Sequence, residues 1–196
     1  MVAERMDGLE TLLTRHSVAA LKLREPGPSP QQLTAAIDAA LRAPDHGNLK
    51  PWRCVLIRGA ARTLLSELFV RQMQQREPPA PPGKVEKART MPLSAPLVIA
   101  VGAHIRADHK VPELEQLLSC AAATMNLMNA LHAQGYESIW LTGPNAYDPQ
   151  IALGLGFAAQ ERLLGFVYVG TPVAGAAPAA VIASIDHTGF VRDWSG

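Results

Sequence analysis

Residues Leu41–Ile57, LRAPDHGNLKPWRCVLI, change character twice. The first residues close an amphipathic helix at Arg42–Ala43, and the chain turns through Pro44, Asp45, His46, Gly47 and Asn48. Pro51 then stiffens the entry to an apolar strand over Trp52–Ile57. A loop between a helix and a strand keeps backbone N–H groups free and is a common place for a site. This loop also gathers Arg42, Asp45, His46, Asn48 and Lys50, a dense set of donors with one carboxylate. The plain reading is a helix–turn–strand connection, in which Gly47 and Asn48 supply positive φ and the prolines supply rigidity. That reading and a ligand-binding one are both open at this point.

Toward the N-terminus, Asp7 to Arg15 carries Leu9, Leu12 and Leu13 at helical spacing and predicts a short helix. It runs out at Arg15-His16-Ser17. Basic groups there suit the negative end of the helix dipole, and the same tripeptide suits an anion, with an Arg fork and a hydroxyl donor. Pro26 to Pro30 is a connector, and Ser29-Pro30 predicts a capped start for a helix over Pro30–Ala43 that buries Leu33, Ile37, Ala40 and Leu41.

Beyond the loop, Leu64, Leu65, Leu68 and Phe69 form the apolar stripe of a helix over about Ala60–Arg76. Glu77–Gly83, EPPAPPG, predicts no regular element, because its prolines lack donors and clash with helix. It reads as a surface excursion, with a short helix over Lys84–Thr90 after it. No second domain begins there, since each flank is too short to bury its own core; one domain over 1–196 is expected. Ala95–Ala103 is a continuous apolar run, as a strand covered on both faces requires. His104 and His109 follow, but no helix-spaced histidine pair supports a metal site, so none is expected. Glu113–Gln134 is the longest predicted helix, rich in small residues and apolar nearly all round, hence buried, either in the core of one chain or as a central helix that also meets its copy in a dimer. A strand over Tyr136–Leu141, a helix over Asp148–Leu155 and a strand over Arg162–Val169 complete the pattern. Residues 174–196 lack a helical period and read as an arm that wraps a partner subunit.

Composition narrows the function. With 48% hydrophobic and 18% charged residues among 196, the chain is globular rather than disordered. A net charge of +1 without basic runs gives no reason to expect nucleic acid or a membrane surface as partner. Cys54 and Cys120 read as buried free thiols. The apolar stretch Leu117–Ala133 is too short and too polar to span a bilayer. The opening MVAERMDGLETLL is not a signal peptide, so a cytoplasmic location is expected. No dinucleotide fingerprint, P-loop or nucleophile elbow is present, and the scattered carboxylates form no assignable acid/base dyad. This pattern fits chemistry carried by a cofactor.

Five separated blocks carry a family resemblance. Ala43–Pro44, Asn48 and Pro51–Trp52 fall in register with the A-P-S-S-x-N-x-Q-P-W block of the FMN-dependent nitroreductase family, and Asp45–His46 in place of the two serines resembles its small YdjA-type branch. Arg15-His16-Ser17 resembles the R-R-S or R-H-S element of that family. His109-Lys110-Val111-Pro112 with Glu115-Gln116 looks like the H-K-V-P…E-Q run, with Leu114 where the branch has Trp. Trp140-Leu141-Thr142 stands where the family has W-R-S/T-G, and the strand ending in Gly170-Thr171-Pro172 resembles its closing strand.

The resemblance implies an α+β fold, a three-layer sandwich whose mixed, mainly antiparallel sheet is flanked by helices, in an intertwined homodimer with two FMN molecules at the interface. It implies that Arg15, His16 and Ser17 of one subunit hold the FMN phosphate and ribityl chain. Arg42, His46 and Asn48 would come from the other subunit, and Trp140, Leu141 and Thr142 would line the remaining side. Nicotinamide contact would fall around Ala130, Leu131, His132, Ala133, Gln134 and Gly135. The implied reaction passes hydride from NADH or NADPH through flavin N5 to a nitroaromatic, quinone or similar small-molecule acceptor in ping-pong order, with no side chain as a catalytic group. The alternative is a flavin-binding protein of the same fold without appreciable turnover, a sensor for example. One departure stands out: many relatives carry an Arg three residues after the Ser, where this chain has Ala20, leaving Lys22, Arg24 or Arg192 to supply charge.

Overall fold

A computed structural model describes residues 8–76, 80–176 and 188–195. In chain order its elements are α1 (Gly8–Thr14), β1 (Leu23–Arg24), α2 (Pro30–Ala40), β2 (Trp52–Arg58), α3 (Ala61–Gln75), α4 (Pro82–Thr90), β3 (Leu97–His104), α5 (Glu113–His132), β4 (Glu137–Leu141), α6 (Pro149–Gly154) and β5 (Glu161–Pro172), with short 3-10 turns between several of them.

Alternation along the two central strands sets the layers. On β3, Leu97, Ile99 and Val101 point toward α2 and α5, where they meet Leu33, Ala36, Leu127 and Leu131. Val98 and Ala100 point the other way, toward Leu65, Leu68 and Phe69 of α3 and Ile151 of α6. On β5, Val167 and Val169 join the first set and Phe166 and Tyr168 the second. A sheet with helices on both faces is the three-layer α+β sandwich expected. All its strand pairs are antiparallel, in the order β1-β5-β3-β2 with β4 also on β5. The ladder between β3 and β5 shifts register at Val101/Gly102. Across from that shift Gly165 has φ 145°, and a Cβ there would lie 2.4 Å from the Trp140 ring nitrogen. Only glycine fits both the conformation and the space.

Local chemistry explains most element ends. Ser29 and Gln32 form a reciprocal capping box at the start of α2, with Pro30 at its first position. The helix stops at Ala40 rather than Ala43, because Pro44 disfavours helical geometry in the residue before it. Leu41 therefore lies in the turn, 46% exposed instead of buried. The proline-rich stretch also departs from expectation: Pro82 and Gly83 form the first turn of α4, where a missing N–H costs nothing. Residues 77–79 lie outside the described set. The two-residue strand β1 carries no period that a sequence could reveal.

Burial departs from simple hydrophobic patterning in three places. Leu9, Leu12 and Leu13 face outward from α1, at 62, 58 and 51% exposure, and Thr11 is its buried residue. On α5, Leu114, Leu118 and Met125 form an exposed apolar stripe at 65, 58 and 39%, so the helix is not buried all round. Cys54 is exposed on β2, whereas Cys120 is buried in α5, where loss of hydration pushes its thiol up to about 12. Of the tail, 177–187 lie outside the described residues, and 188–195 form no helix or strand.

His104 and His109 do not converge. His104 Nδ1 lies 3.6 Å from Glu161 Oε1, while His109 Nδ1 accepts from the Val111 amide at 3.1 Å. Glu161 is itself an anchor: its carboxylate accepts from Ala158 N at 3.0 Å and from Arg53 Nε at 2.6 Å. The Ala158 N–H bond, then the Arg53 partner, hold its carboxyl below the ordinary 4.5. A lowered carboxyl stabilises the fold fully above its unfolded value, and that contribution disappears as pH falls through the folded value. Glu161→Gln is therefore expected to lower Tm by about 2–4 °C at pH 7, with the difference from wild type closing once the pH falls below 4.5. Thermal melts across pH check this.

Candidate functional site

The corner where α1 ends beside β4 is built from hydrogen bonds of small size and wide sequence span. Ser17 bridges Ser138 of β4, with Val18 N donating to Ser138 O at 3.2 Å. That bridge holds the Arg15–Ser17 turn against the sheet edge. Ser17 is exposed, and Arg15 and His16 are half-buried. His16 Nδ1 donates to Thr14 O at 3.0 Å. Arg15 Nε, His16 Nε2 and, further along β4, Trp140 Nε1 are all buried without a protein partner. Unpaired buried polar groups are costly and rare; two of these nitrogens belong to neighbouring residues of one turn, while Trp140 Nε1 lies over Gly165 of β5.

Past β4 the chain turns through Thr142–Asn145. Arg76 fixes this turn, reaching Pro144 O at 3.3 Å, Asn145 Oδ1 at 3.0 Å and Asp148 Oδ2 at 2.9 Å. Between the turn and α4 lies a cleft of about 380 Å³, with walls from Phe69, Met73 and Phe166 and with Leu141, Thr142, Lys84 and Lys87 around it. Neither lysine makes an ion pair among the described residues. Sequence reading passed over both; the only signal was two basic residues at helical spacing just after the proline-rich break. A second cleft of similar size lies between α6 and the start of β5. Its charged groups are already paired: Asp148 with Arg76, Glu161 with Arg53, and Arg162 with Glu113.

The loop after α2 stands elsewhere. Gly47, Asn48 and Lys50 take φ of 76, 51 and 51°, and Asp45 Oδ2 accepts from Lys50 N at 2.8 Å to close the turn. His46 Nδ1 meets Glu115 Oε2 at 2.5 Å, which ties the loop to the first turn of α5. Arg42, His46 and Asn48 are exposed. The Arg15–Ser17 turn, by contrast, is tied to the last turn of α5, because Thr14 Oγ1 lies 2.9 Å from His132 Nε2. The two attachment points are roughly 25 Å apart along the helix. Within one chain, the predicted phosphate grip and the predicted partner-side loop do not come together.

The proposed nicotinamide strip is the end of α5 and its turn. Leu131 has 0% exposure and offers no surface to a ligand, which removes it from contact. His132 is buried and engaged on both ring nitrogens, by Thr14 and by Glu137 Oε1 at 2.9 Å. Gln134 turns back onto Ala130 O at 2.9 Å. Ala130 and Ala133 are half-buried, and only Gly135, with φ 84°, is exposed. Ala20, at the family's Arg position, is 4% exposed within the core, while Lys22 and Arg24 stand outward.

An antiparallel sheet between helical layers is the class of fold that solved nitroreductase-family structures share with this chain. The sequence matches the model of the nitroreductase family over residues 12–171. The chain belongs to that family. It is 38% identical over 169 residues to YdjA of Escherichia coli K12, provisionally named an NAD(P)H nitroreductase; the match covers 85% of this chain and 89% of that one. A nitroreductase-like family protein from Bacillus cereus superposes with TM-score 0.83 at 20% identity, over 100% of both chains. The FMN- and NADPH-dependent nitroreductase NfnB of Sphigopyxis sp. strain HMH superposes with TM-score 0.74 at 17% identity, over 97% of this chain and 100% of that one. Among the described residues no helix is long and apolar enough to cross a membrane, and no group of three or more His, Cys, Asp or Glu could hold a metal ion.

Proposed function

We propose that this chain is an FMN-dependent oxidoreductase that works as a homodimer, with each flavin held between the two subunits. The observation that carries this reading is the set of buried, unpartnered nitrogens at Arg15, His16 and Trp140, three of the residues that the family resemblance assigns to the cofactor. Arg15 and His16, with the Ser17 hydroxyl, would hold the phosphate and ribityl chain. Leu141 and Thr142 would lie along the ring, and Lys84 and Lys87 across the cleft would supply positive charge near it. When bound, FMN supplies the chemistry, its N5 taking hydride from NADH or NADPH and passing it to a nitroaromatic, a quinone or a similar acceptor in ping-pong order.

The dimer reading is supported by where α5 puts its two ends. A flavin is shorter than the separation between the Arg15–Ser17 turn and the Arg42–Asn48 loop. A two-fold axis across α5 sets the first turn of one copy beside the last turn of the other, so the two half-sites meet across the interface. The exposed stripes Leu9, Leu12 and Leu13 of α1 and Leu114, Leu118 and Met125 of α5 give that interface its apolar surface. In the same reading, Leu131 and His132 pack and position rather than touch nicotinamide. The arm expected from the sequence over 174–196 lies largely outside the described residues; if it holds the partner, truncation after Gly175 shifts the dimer toward monomer in sedimentation, and a truncated chain that remains a stable dimer counts against it.

An absorption spectrum of the purified protein, repeated on the supernatant after heating, tests the cofactor. A yellow protein that releases FMN is expected, and a colourless one that also fails to bind added FMN overturns the reading. Sustained NAD(P)H oxidation with a nitroaromatic or quinone then separates an enzyme from a flavin-binding protein without turnover.

A further inference from the structure

His132 and Glu137 sit on either side of the turn from α5 to β4, at 8 and 7% exposure. A link between helix and strand does not need an ionisable pair, and burying one costs hydration unless its hydrogen bonds are made. Here most are. Thr14 Oγ1 gives its only proton to Glu10 O at 2.7 Å, so across the 2.9 Å to His132 Nε2 it accepts. That places an N–H on Nε2. The facing pair, Nδ1 and Glu137 Oε1 at 2.9 Å, then shares a single proton. Both nitrogens of the ring are committed, and the ring cannot turn.

Thr14 is thereby held twice. His132 holds its hydroxyl, and His16 Nδ1 holds its carbonyl at 3.0 Å. The two imidazoles meet edge to face, 6.2 Å between centres at 80°. The next side chain is Arg15, whose buried Nε has no partner, as His16 Nε2 has none.

We propose that Glu137, His132 and Thr14 form a buried relay of positioning residues that aims Arg15 and His16 at the phosphate end of the flavin. This rests on the flavin reading above. The relay touches neither ring nor phosphate; it fixes the carbonyl and hydroxyl of the residue from which both ligand-facing side chains depart. Its loss lowers the preference for FMN over riboflavin, which lacks the phosphate, and leaves riboflavin binding as it was.

The test titrates apo dimer with FMN and with riboflavin by flavin fluorescence, alongside thermal melts. His132→Ala and Glu137→Ala are expected to weaken FMN at least about tenfold and to leave riboflavin unchanged. Glu137→Gln restores FMN binding to within about threefold, because its amide N–H₂ donates to Nδ1 of the neutral imidazole. Thr14→Val, at a half-buried site that tolerates an isosteric change, weakens FMN in the same direction should either alanine variant fail to fold. Variants that bind both flavins like wild type overturn the relay. So does a parallel loss of both flavins with a fall in Tm, which would mark the network as structural only. A wild-type protein that binds neither flavin overturns the flavin reading and this inference together.

Discussion

Replacing Arg15 with alanine is expected to weaken FMN binding about 10- to 100-fold, while the apo protein melts as wild type does. The size follows from removing a charge-assisted grip on phosphate, which is about twice as strong as a neutral hydrogen bond. The fold should not notice, since Arg15 Nε has no protein partner to lose. Ser17→Ala should act in the same direction and cost no more than about tenfold. Its side chain is exposed, and the bridge to Ser138 is made by backbone alone. Equilibrium titration with FMN measures both, and unchanged flavin retention in both variants defeats the assignment of the Arg15–Ser17 turn.

Leu118→Glu has a larger expected effect: a folded monomer that binds no flavin. Leu118 is 58% exposed on α5 and contributes little to the core of its own chain, so a charge there is harmless to the isolated subunit. Between two copies of α5 the same charge would be buried without a partner, which an interface does not tolerate. In the proposed dimer, separating the subunits would remove Arg42, His46 and Asn48 from the half-site that holds Arg15, because α5 keeps them at its opposite end within each chain. Sedimentation together with flavin absorbance reads both consequences. A monomer that keeps its flavin contradicts the shared site.

Features set by neighbours in sequence were legible before the structure. The Ser29 cap with Pro30 behind it and the doubly covered strand β3 each need only a few adjacent residues. Family blocks located the Arg15–Ser17 turn and Trp140–Thr142, and the structure brings them to one sheet edge. What escaped depends on partners far along the chain or outside it. Thr14 and His132 are 118 positions apart, and no local period announces their meeting. Lys84 and Lys87 reach the cleft only because α3 and the turn after β4 converge on α4. The leucines of α1 announced the helix but not its orientation: α1 presents them outward and turns Thr11 in. Cys54 misled for a related reason: β2 closes one edge of the sheet, and an apolar run at an edge does not ensure burial.

The shared flavin site is tested most directly by subunit complementation. Arg15→Ala chains and Arg42→Ala/His46→Ala chains, each expected to bind flavin only weakly alone, are unfolded together, refolded as mixed dimers and titrated with FMN at a concentration that fills only intact sites. If each site takes one half from each subunit, half of the dimers are mixed and each regains one intact site, so about a quarter of the wild-type flavin binding returns. If each site lies within one chain, no flavin binding returns in the mixture, and the account of the dimer is contradicted.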